Sequence, residues 1–129
     1  MPGNVAIVRR GYEAVNKGDL ELLTELFGDN ASWYTPGRSP LAGEAVGRRA
    51  VCARLGRYVA ETGGTFRAEL KRLLTDEDGR VIGIHRNVAE RDGKHLDVYC
   101  CIVFELENGR IVGGREHFYD LHAWDEFWS

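Results

Sequence analysis

Residues 65–120 read TFRAELKRLLTDEDGRVIGIHRNVAERDGKHLDVYCCIVFELENGRIVGGREHFYD. In this stretch Phe66, Ala68 and Leu70 alternate with Arg67, Glu69 and Lys71, the two-residue period of a half-buried strand. The alternation slips at Arg72-Leu73-Leu74, which predicts a bulge. Three tight-turn dipeptides follow, Asp78-Gly79, Asp92-Gly93 and Asn108-Gly109. An Asn-Gly pair tolerates the left-handed backbone of a two-residue hairpin. These turns cut the region into four strands, near 65–75, 80–90, 94–106 and 110–119, which together make an antiparallel meander.

Upstream the period changes. Val5, Val8, Tyr12 and Val15 recur at three- and four-residue steps and predict a helix ended by Gly18. Asp19 stands where an N-cap belongs, ahead of Leu20, Leu22, Leu23, Leu26 and Phe27, and Gly28-Asp29-Asn30 stops this second helix. Ala31 to Thr35 is a short strand candidate halted by Pro36-Gly37. The stretch 38–47, with Pro40, Gly43 and Gly47, reads as a loop. Helical period returns over 48–62, with Val51, Leu55, Tyr58 and Val59 inward, and Gly63-Gly64 closes it. Beyond the meander, Asp120 to Trp128 predicts a short helix packing Leu121, Trp124 and Phe127. Helices followed by a run of antiparallel strands make an α+β domain. A curved meander with helices on one face can enclose a cavity, the default place for a small ligand.

The chain has 129 residues, which leaves room for one domain spanning 1–129 and no second core. With 43% hydrophobic and 29% charged residues it has globular composition. A net charge of −3 lacks the positive field that displaces phosphate counterions, which argues against a nucleic-acid partner. No apolar run approaches the roughly 20 residues of a membrane span. The start, Met-Pro-Gly-Asn-Val-Ala, has no basic region leading into an apolar stretch and is not read as a secretory signal. Three cysteines, two adjacent at Cys100 and Cys101, form no disulfide framework and fit a cytoplasmic protein.

The order of these elements, with Tyr12 to Asp19, Ala31 to Gly37, Leu41 to Val51 and Asn108 to Asp120 as the carrying segments, resembles the SnoaL-like, ketosteroid-isomerase-like branch of the NTF2-like superfamily. The resemblance implies a cystatin-like cone, with N-terminal helices packed on a strongly bent, mostly antiparallel sheet around a pocket. It also implies a homodimer formed through the sheet. Members include isomerases, polyketide cyclases, epoxide hydrolases and non-catalytic association domains, so chemistry rests on the pocket residues. Against ketosteroid isomerase, Thr35 occupies the place of the general-base Asp before Pro36, and Cys100 that of the oxyanion-hole Asp. Gly11 falls at the oxyanion-hole Tyr, with Tyr12 one residue on and turned by about 100° around the helix. The cyclase and limonene epoxide hydrolase patterns place an essential carboxylate at Glu116. The hydrolase's Arg-x-Asp pair falls at Gly83 and His85.

Glu116 is therefore the first candidate for proton transfer. If Val112 and Phe118 face inward, alternation turns Glu116 inward too, and burial raises the pKa of a carboxyl group toward neutrality. The alternative is a strand-end Glu paired with Arg115 or Arg86. His85 interrupts the apolar run Val81-Ile82-Gly83-Ile84 and can assist, as a group that titrates near neutral pH; it can equally be a core histidine bonded to backbone or to a tyrosine. Asn87 shares its face and can position a carbonyl or hydroxyl group. Tyr12, Trp33, Tyr34, Cys100 and Phe118 complete the candidate substrate-binding set, and of the neighbours Trp33 and Tyr34 only one can enter the cavity. His85, His95, His117 and His122 show no metal-ligand spacing, and no phosphate-binding loop or nucleophile elbow is present. The expectation is an acid–base enzyme without cofactor or metal. It would act on a small apolar or polycyclic ligand by isomerisation, ring closure or epoxide opening. The rival reading is a non-catalytic ligand-binding or dimerising domain.

Overall fold

A computed structural model describes residues 3–129. Met1 and Pro2, the first residues of the segment read as carrying no secretion signal, lie outside the described residues. The elements run α1 (Asn4–Lys17), α2 (Leu20–Leu26), β1 (Phe27–Thr35), β2 (Gly43–Val46), α3 (Arg48–Ala60), β3 (Arg67–Thr75), β4 (Val81–Arg91), β5 (Lys94–Glu107), β6 (Arg110–Phe118) and α4 (Leu121–Trp128). The six strands form one sheet in the order β2-β1-β6-β5-β4-β3. The meander β3 to β6 is antiparallel, while β1 pairs with β6 in parallel.

Local chemistry accounts for the boundaries. Gly18 takes the left-handed conformation at φ 67° and its N–H donates to the carbonyls of Ala14 and Val15, which closes α1. The Asp19 side chain then accepts from the Leu22 N–H at 3.1 Å and opens α2. Asp120 caps α4 in the same way through Ala123. Asp92-Gly93 and Asn108-Gly109 both place two successive residues at positive φ, the geometry that matches a two-residue hairpin to strand twist. The expected bulge lies between Leu70 and Arg72.

Two expectations change. Residues 43–46, read as part of a loop, form β2 and pair antiparallel with β1, Trp33 opposite Ala45 and Thr35 opposite Gly43. Gly43 and Gly47, at φ 100° and 95°, are the turns at the two ends of this strand rather than breakers within a loop. Four residues are too few to display an alternation. The first strand also begins earlier, at Phe27, with a register shift between Phe27 and Ser32 that absorbs Gly28-Asp29-Asn30.

α1, α2 and α3 pack over the concave face, with Ile7, Val8, Leu23, Val51 and Leu55 buried against Phe27, Val81, Ile102, Phe104 and Ile111. α4 buries Trp124, Phe127 and Trp128. It is tied down by Arg91 and Lys94, which donate to carbonyls of its last turn, and by Asp125, which accepts from the Arg38 and Ser39 N–H groups. No helix among the described residues is long and apolar enough to cross a membrane.

The neighbours Cys100 and Cys101 point to opposite sides of β5, so they do not bridge each other, and with Cys52 on α3 all three are free. Titration of the denatured protein without reductant is expected to find three thiols. Fewer would contradict this geometry.

A buried carboxylate and a histidine relay in the cone

β4 turns Val81, Gly83, His85, Asn87 and Ala89 to the concave side, in the unbroken alternation of its burial. On β6 the alternation is broken. Ile111 is the inward residue and Val112, expected inward, instead lies at the side of Gly28. A register shift opposite Glu105 and Leu106 resets the phase, so Gly114 and Glu116 come inward through the bulge.

These strands and the helices enclose a cavity of about 50 Å³. Val8, Val15, Leu23, Phe27, Leu55, Phe66, Ile102, Phe104 and Ile111 give it apolar walls, and its polar groups come from Tyr12, Trp33, Tyr58, His85, Asn87 and Glu116.

Glu116 is 3% exposed. Its Oε1 accepts three hydrogen bonds, from Thr35 Oγ1 at 2.6 Å, Tyr58 OH at 2.8 Å and Trp33 Nε1 at 3.1 Å. Arg54 stands behind them, donating to Thr35 Oγ1 and to the Gly43 carbonyl, each at 3.1 Å. Among the described residues no donor reaches Oε2. Burial raises the Glu116 pKa above its ordinary value, against the opposing pull of the Thr35, Tyr58 and Trp33 donors and of Arg54. With Oε1 occupied by three donors, a proton on this acid resides on Oε2, and the ionised form keeps its free lone pairs there. Burial holds the Tyr12 and Tyr58 hydroxyls well above their usual values, so both act as donors and not as bases.

The other polar cluster is a chain. The Tyr12 hydroxyl lies 2.8 Å from His85 Nδ1, and His85 Nε2 lies 2.9 Å from Asn87 Oδ1. Gly83 makes this possible, because a Cβ there would come 2.5 Å from the Tyr12 oxygen. Burial lowers the His85 pKa to about 4, offset only in part by its bond to Asn87. His85 is thus neutral at pH 7 with both ring nitrogens engaged.

This pKa sets a pH dependence. The unfolded chain protonates His85 near 6.5 and the folded chain near 4, so the histidine's contribution is full above pH 6.5 and lost as pH falls toward 4. Between pH 7 and 5 the loss comes to about 2 kcal/mol. Glu116, with a raised pKa, works in the opposite sense, its contribution present in acid and lost as pH rises. Urea unfolding of the wild type and of His85→Gln at both pH values isolates the histidine. The wild type is expected to lose about 2 kcal/mol more than the variant on acidification, and equal losses would contradict the buried neutral imidazole.

Several expected placements are corrected. His85 and Glu116 border one cavity but do not pair: β5 runs between them, with Cys100 opposite His85 and Ile102 opposite Glu116, an interval of about 10 Å for two strand spacings. The two therefore have no direct contact through which to titrate as a unit. Tyr34 faces the outer side, where the Arg115 guanidinium lies 4.4 Å from its ring centroid, and Trp33 is the neighbour that enters. Phe118 does not line the cavity; it stacks on Trp124 with centroids 4.0 Å apart. Cys100 is fully buried on the inward face without lining the cavity, and burial pushes its thiol up, away from a reactive thiolate. Thr35, Tyr58 and Arg54 were not anticipated as partners of the carboxylate. Only Thr35 carried a signal, through its place before Pro36. Among the described residues no three His, Cys, Asp or Glu side chains group as a metal site.

A family model described as a SnoaL-like domain matches residues 8–114, ending two positions before Glu116. An uncharacterized protein of Mycobacterium tuberculosis is 37% identical over 123 residues, 95% of this chain and 94% of its own. Among solved structures, Bal32a, from a soil-derived mobile gene cassette, is 66% identical with a TM-score of 0.95, covering 98% of this chain and 96% of that one. A proposed SnoaL-like polyketide cyclase from Jannaschia sp. CCS1 has a TM-score of 0.80 at 17% identity, over 98% of this chain and 91% of its own, which bears on fold alone. Other chains with this architecture are described as cystatin-like or NTF2-like.

Proposed function

We propose, for a chain that belongs to the SnoaL-like domain family, that it is a cofactor-independent acid–base enzyme acting on a compact, mostly apolar molecule held in the cone. The observation that carries this reading is Glu116, a carboxylate with raised pKa on an apolar cavity, with one oxygen fixed by three donors and the other without a donor among the described residues. A carboxyl group so placed can take a proton through Oε2 and return it elsewhere on the same molecule. That serves an isomerisation or a ring closure by intramolecular addition; in the acid form it can protonate an epoxide oxygen as its C–O bond breaks and a water molecule from solvent adds to the carbon, that water's second proton returning to the carboxylate. Thr35, Tyr58 and Trp33 hold Glu116, while His85, with no free ring nitrogen, positions Asn87 rather than moving protons itself. A polycyclic ligand would require the walls to part beyond about 50 Å³. The family match supports the cyclase or isomerase class, and the free thiols suit a reducing compartment such as the cytoplasm.

The test is a panel of small enones and epoxides incubated with the protein in D2O without metal or cofactor. Solvent deuterium in a rearranged product, or a ring-opened diol, is expected, and it should vanish in Glu116→Gln. Binding without turnover across the panel would favour the second reading, a ligand-binding domain. One observation supports that rival: the hydrogen-bonded network around Oε1 of Glu116 is complete without a substrate.

The outward face of the sheet exposes Tyr99 and Tyr119, tilted against each other with centroids 5.7 Å apart, as well as Leu74. We expect a homodimer through this face, which would cover these side chains. Sedimentation at micromolar concentration checks it, and a monomer would contradict it.

A further inference from the structure

We propose that Asn87 reads an acceptor oxygen of the ligand, so that the molecule held in the cone bears a carbonyl or ether-type oxygen in its buried part. This rests on the cavity being the ligand site, as in the reading above. Asn87 lines the cavity and is 1% exposed, and its amide nitrogen Nδ2 is buried with no hydrogen-bond partner among the described residues. A buried amide donor without a partner costs about 1–3 kcal/mol, a cost that an oxygen delivered by a ligand removes.

The orientation of the amide follows from counting donors and acceptors along the chain. If the Tyr12 hydroxyl donates to His85 Nδ1, then Nε2 carries the imidazole proton and donates to Asn87 Oδ1. Every polar atom is then satisfied except Nδ2. If the chain ran the other way, Nδ1–H would donate to the Tyr12 oxygen, the amide would turn to donate to Nε2, and both the Tyr12 proton and the Asn87 oxygen would be left without partners. The first arrangement strands one group and the second strands two. In the first, each bond polarises the next toward the amide N–H, and the chain ends in a donor. Gly83 admits the Tyr12 hydroxyl from which the relay starts. Trp124 and Trp128 also carry buried indole N–H groups without partners, but they belong to α4 and do not line the cavity.

Two ring molecules of one shape separate the hydrogen bond from the volume: tetrahydrofuran offers an ether oxygen and cyclopentane does not, and butanone adds the carbonyl case. Binding is followed by NMR titration at millimolar concentrations. Replacing Asn87 by its near-isostere Leu is expected to shift the ratio of the two ring affinities by roughly 5–10-fold in favour of cyclopentane. Asn87→Asp, which keeps the shape and the bond from His85 but puts an acceptor at the cavity, should shift it in the same sense and covers the case in which Asn87→Leu does not fold. Tetrahydrofuran and butanone distinguish an ether from a carbonyl by which one loses more. In the wild type, 15N shifts of His85 should show a single tautomer protonated at Nε2. In Tyr12→Phe they should show mixed tautomers, with a smaller ring preference, the signature of a positioning hydroxyl.

Protonation at Nδ1 in the wild type, an affinity ratio indifferent to both Asn87 variants, or no binding of any probe would each overturn the proposal. The two readings fail separately. Asn87-dependent binding without turnover of any substrate leaves this inference standing and removes the enzyme, whereas turnover lost in Glu116→Gln with ring preference independent of Asn87 does the reverse.

Discussion

Replacement of Glu116 by Gln is expected to lower turnover of the eventual substrate by roughly 10²-fold or more while the fold and ligand binding stay nearly intact. Gln retains an oxygen for the Thr35, Tyr58 and Trp33 donors, so the network around Oε1 survives. What disappears is the exchangeable proton on the other side. The same variant carries a stability signature. The raised pKa of Glu116 means that its stabilising contribution is present below the ordinary value of 4.5 and lost as pH rises through the folded value. Gln has no such dependence, so its stability relative to wild type should improve from pH 4 to pH 8. Steady-state kinetics and urea unfolding across that range check both parts. Unchanged turnover would move the ligand-binding reading to first place.

The second large effect is expected at Gly114. A Cβ built there would overlap the six-membered ring of Trp33, and that ring is wedged against Phe27 and Phe104 at centroid distances of 6.0 and 5.8 Å. A rigid indole in a packed core cannot step aside as the end of a flexible side chain would. Gly114→Ala is therefore expected to cost about 3 kcal/mol. It should also pull Trp33 Nε1 from Glu116 Oε1, removing one of the three donors that favour the carboxylate, so the Glu116 pKa should rise further. Adding Trp33→Leu should recover part of the stability without restoring the bond, a coupling that a double-mutant cycle measures. An unfolding midpoint equal to that of the wild type in Gly114→Ala would contradict the clash.

A common design links this position to Gly83. Each glycine stands two residues before the polar residue it serves, on the same face of its strand, and admits an aromatic side chain from another element that hydrogen-bonds that residue. In sequence, Gly83-x-His85 and Gly114-x-Glu116 look only like weak points in strands, since what fills the gap comes from α1 or β1.

The same limit explains what was legible in the chain. Period-two alternation and Gly-containing turns are local, so the four meander strands and the bulge after Leu70 were readable within a residue or two. β2 was not, because four residues between two glycines show no period. The parallel pairing of β1 with β6 joins segments some 80 residues apart and leaves no local mark. In the site, strand or helix phase turned His85, Asn87 and Tyr12 inward, whereas Glu116 came from the family resemblance, since the phase expected from Val112 is reset by the bulge on β6. Tyr34 and Trp33 could not be told apart without knowing which face of β1 is covered. The supports of the carboxylate were missed for a related reason. Tyr58 was read as core, and core it is, with a hydroxyl whose use depends on a 58-residue closure to Glu116, as Thr35 and Trp33 reach the same carboxylate across 81 and 83 residues. Arg54 lies on the half-buried side of α3, where spacing alone suggests solvent.

The central claim is that Glu116 is a proton-exchanging acid inside an apolar cone. The most direct measurement is the titration of its side-chain 13Cδ resonance from pH 3 to pH 9, assigned by its absence in Glu116→Gln. A midpoint above the ordinary value of 4.5 is predicted, and a midpoint at or below it would show a carboxylate locked in its charged form by Thr35, Tyr58, Trp33 and Arg54, contradicting the proton-transfer role.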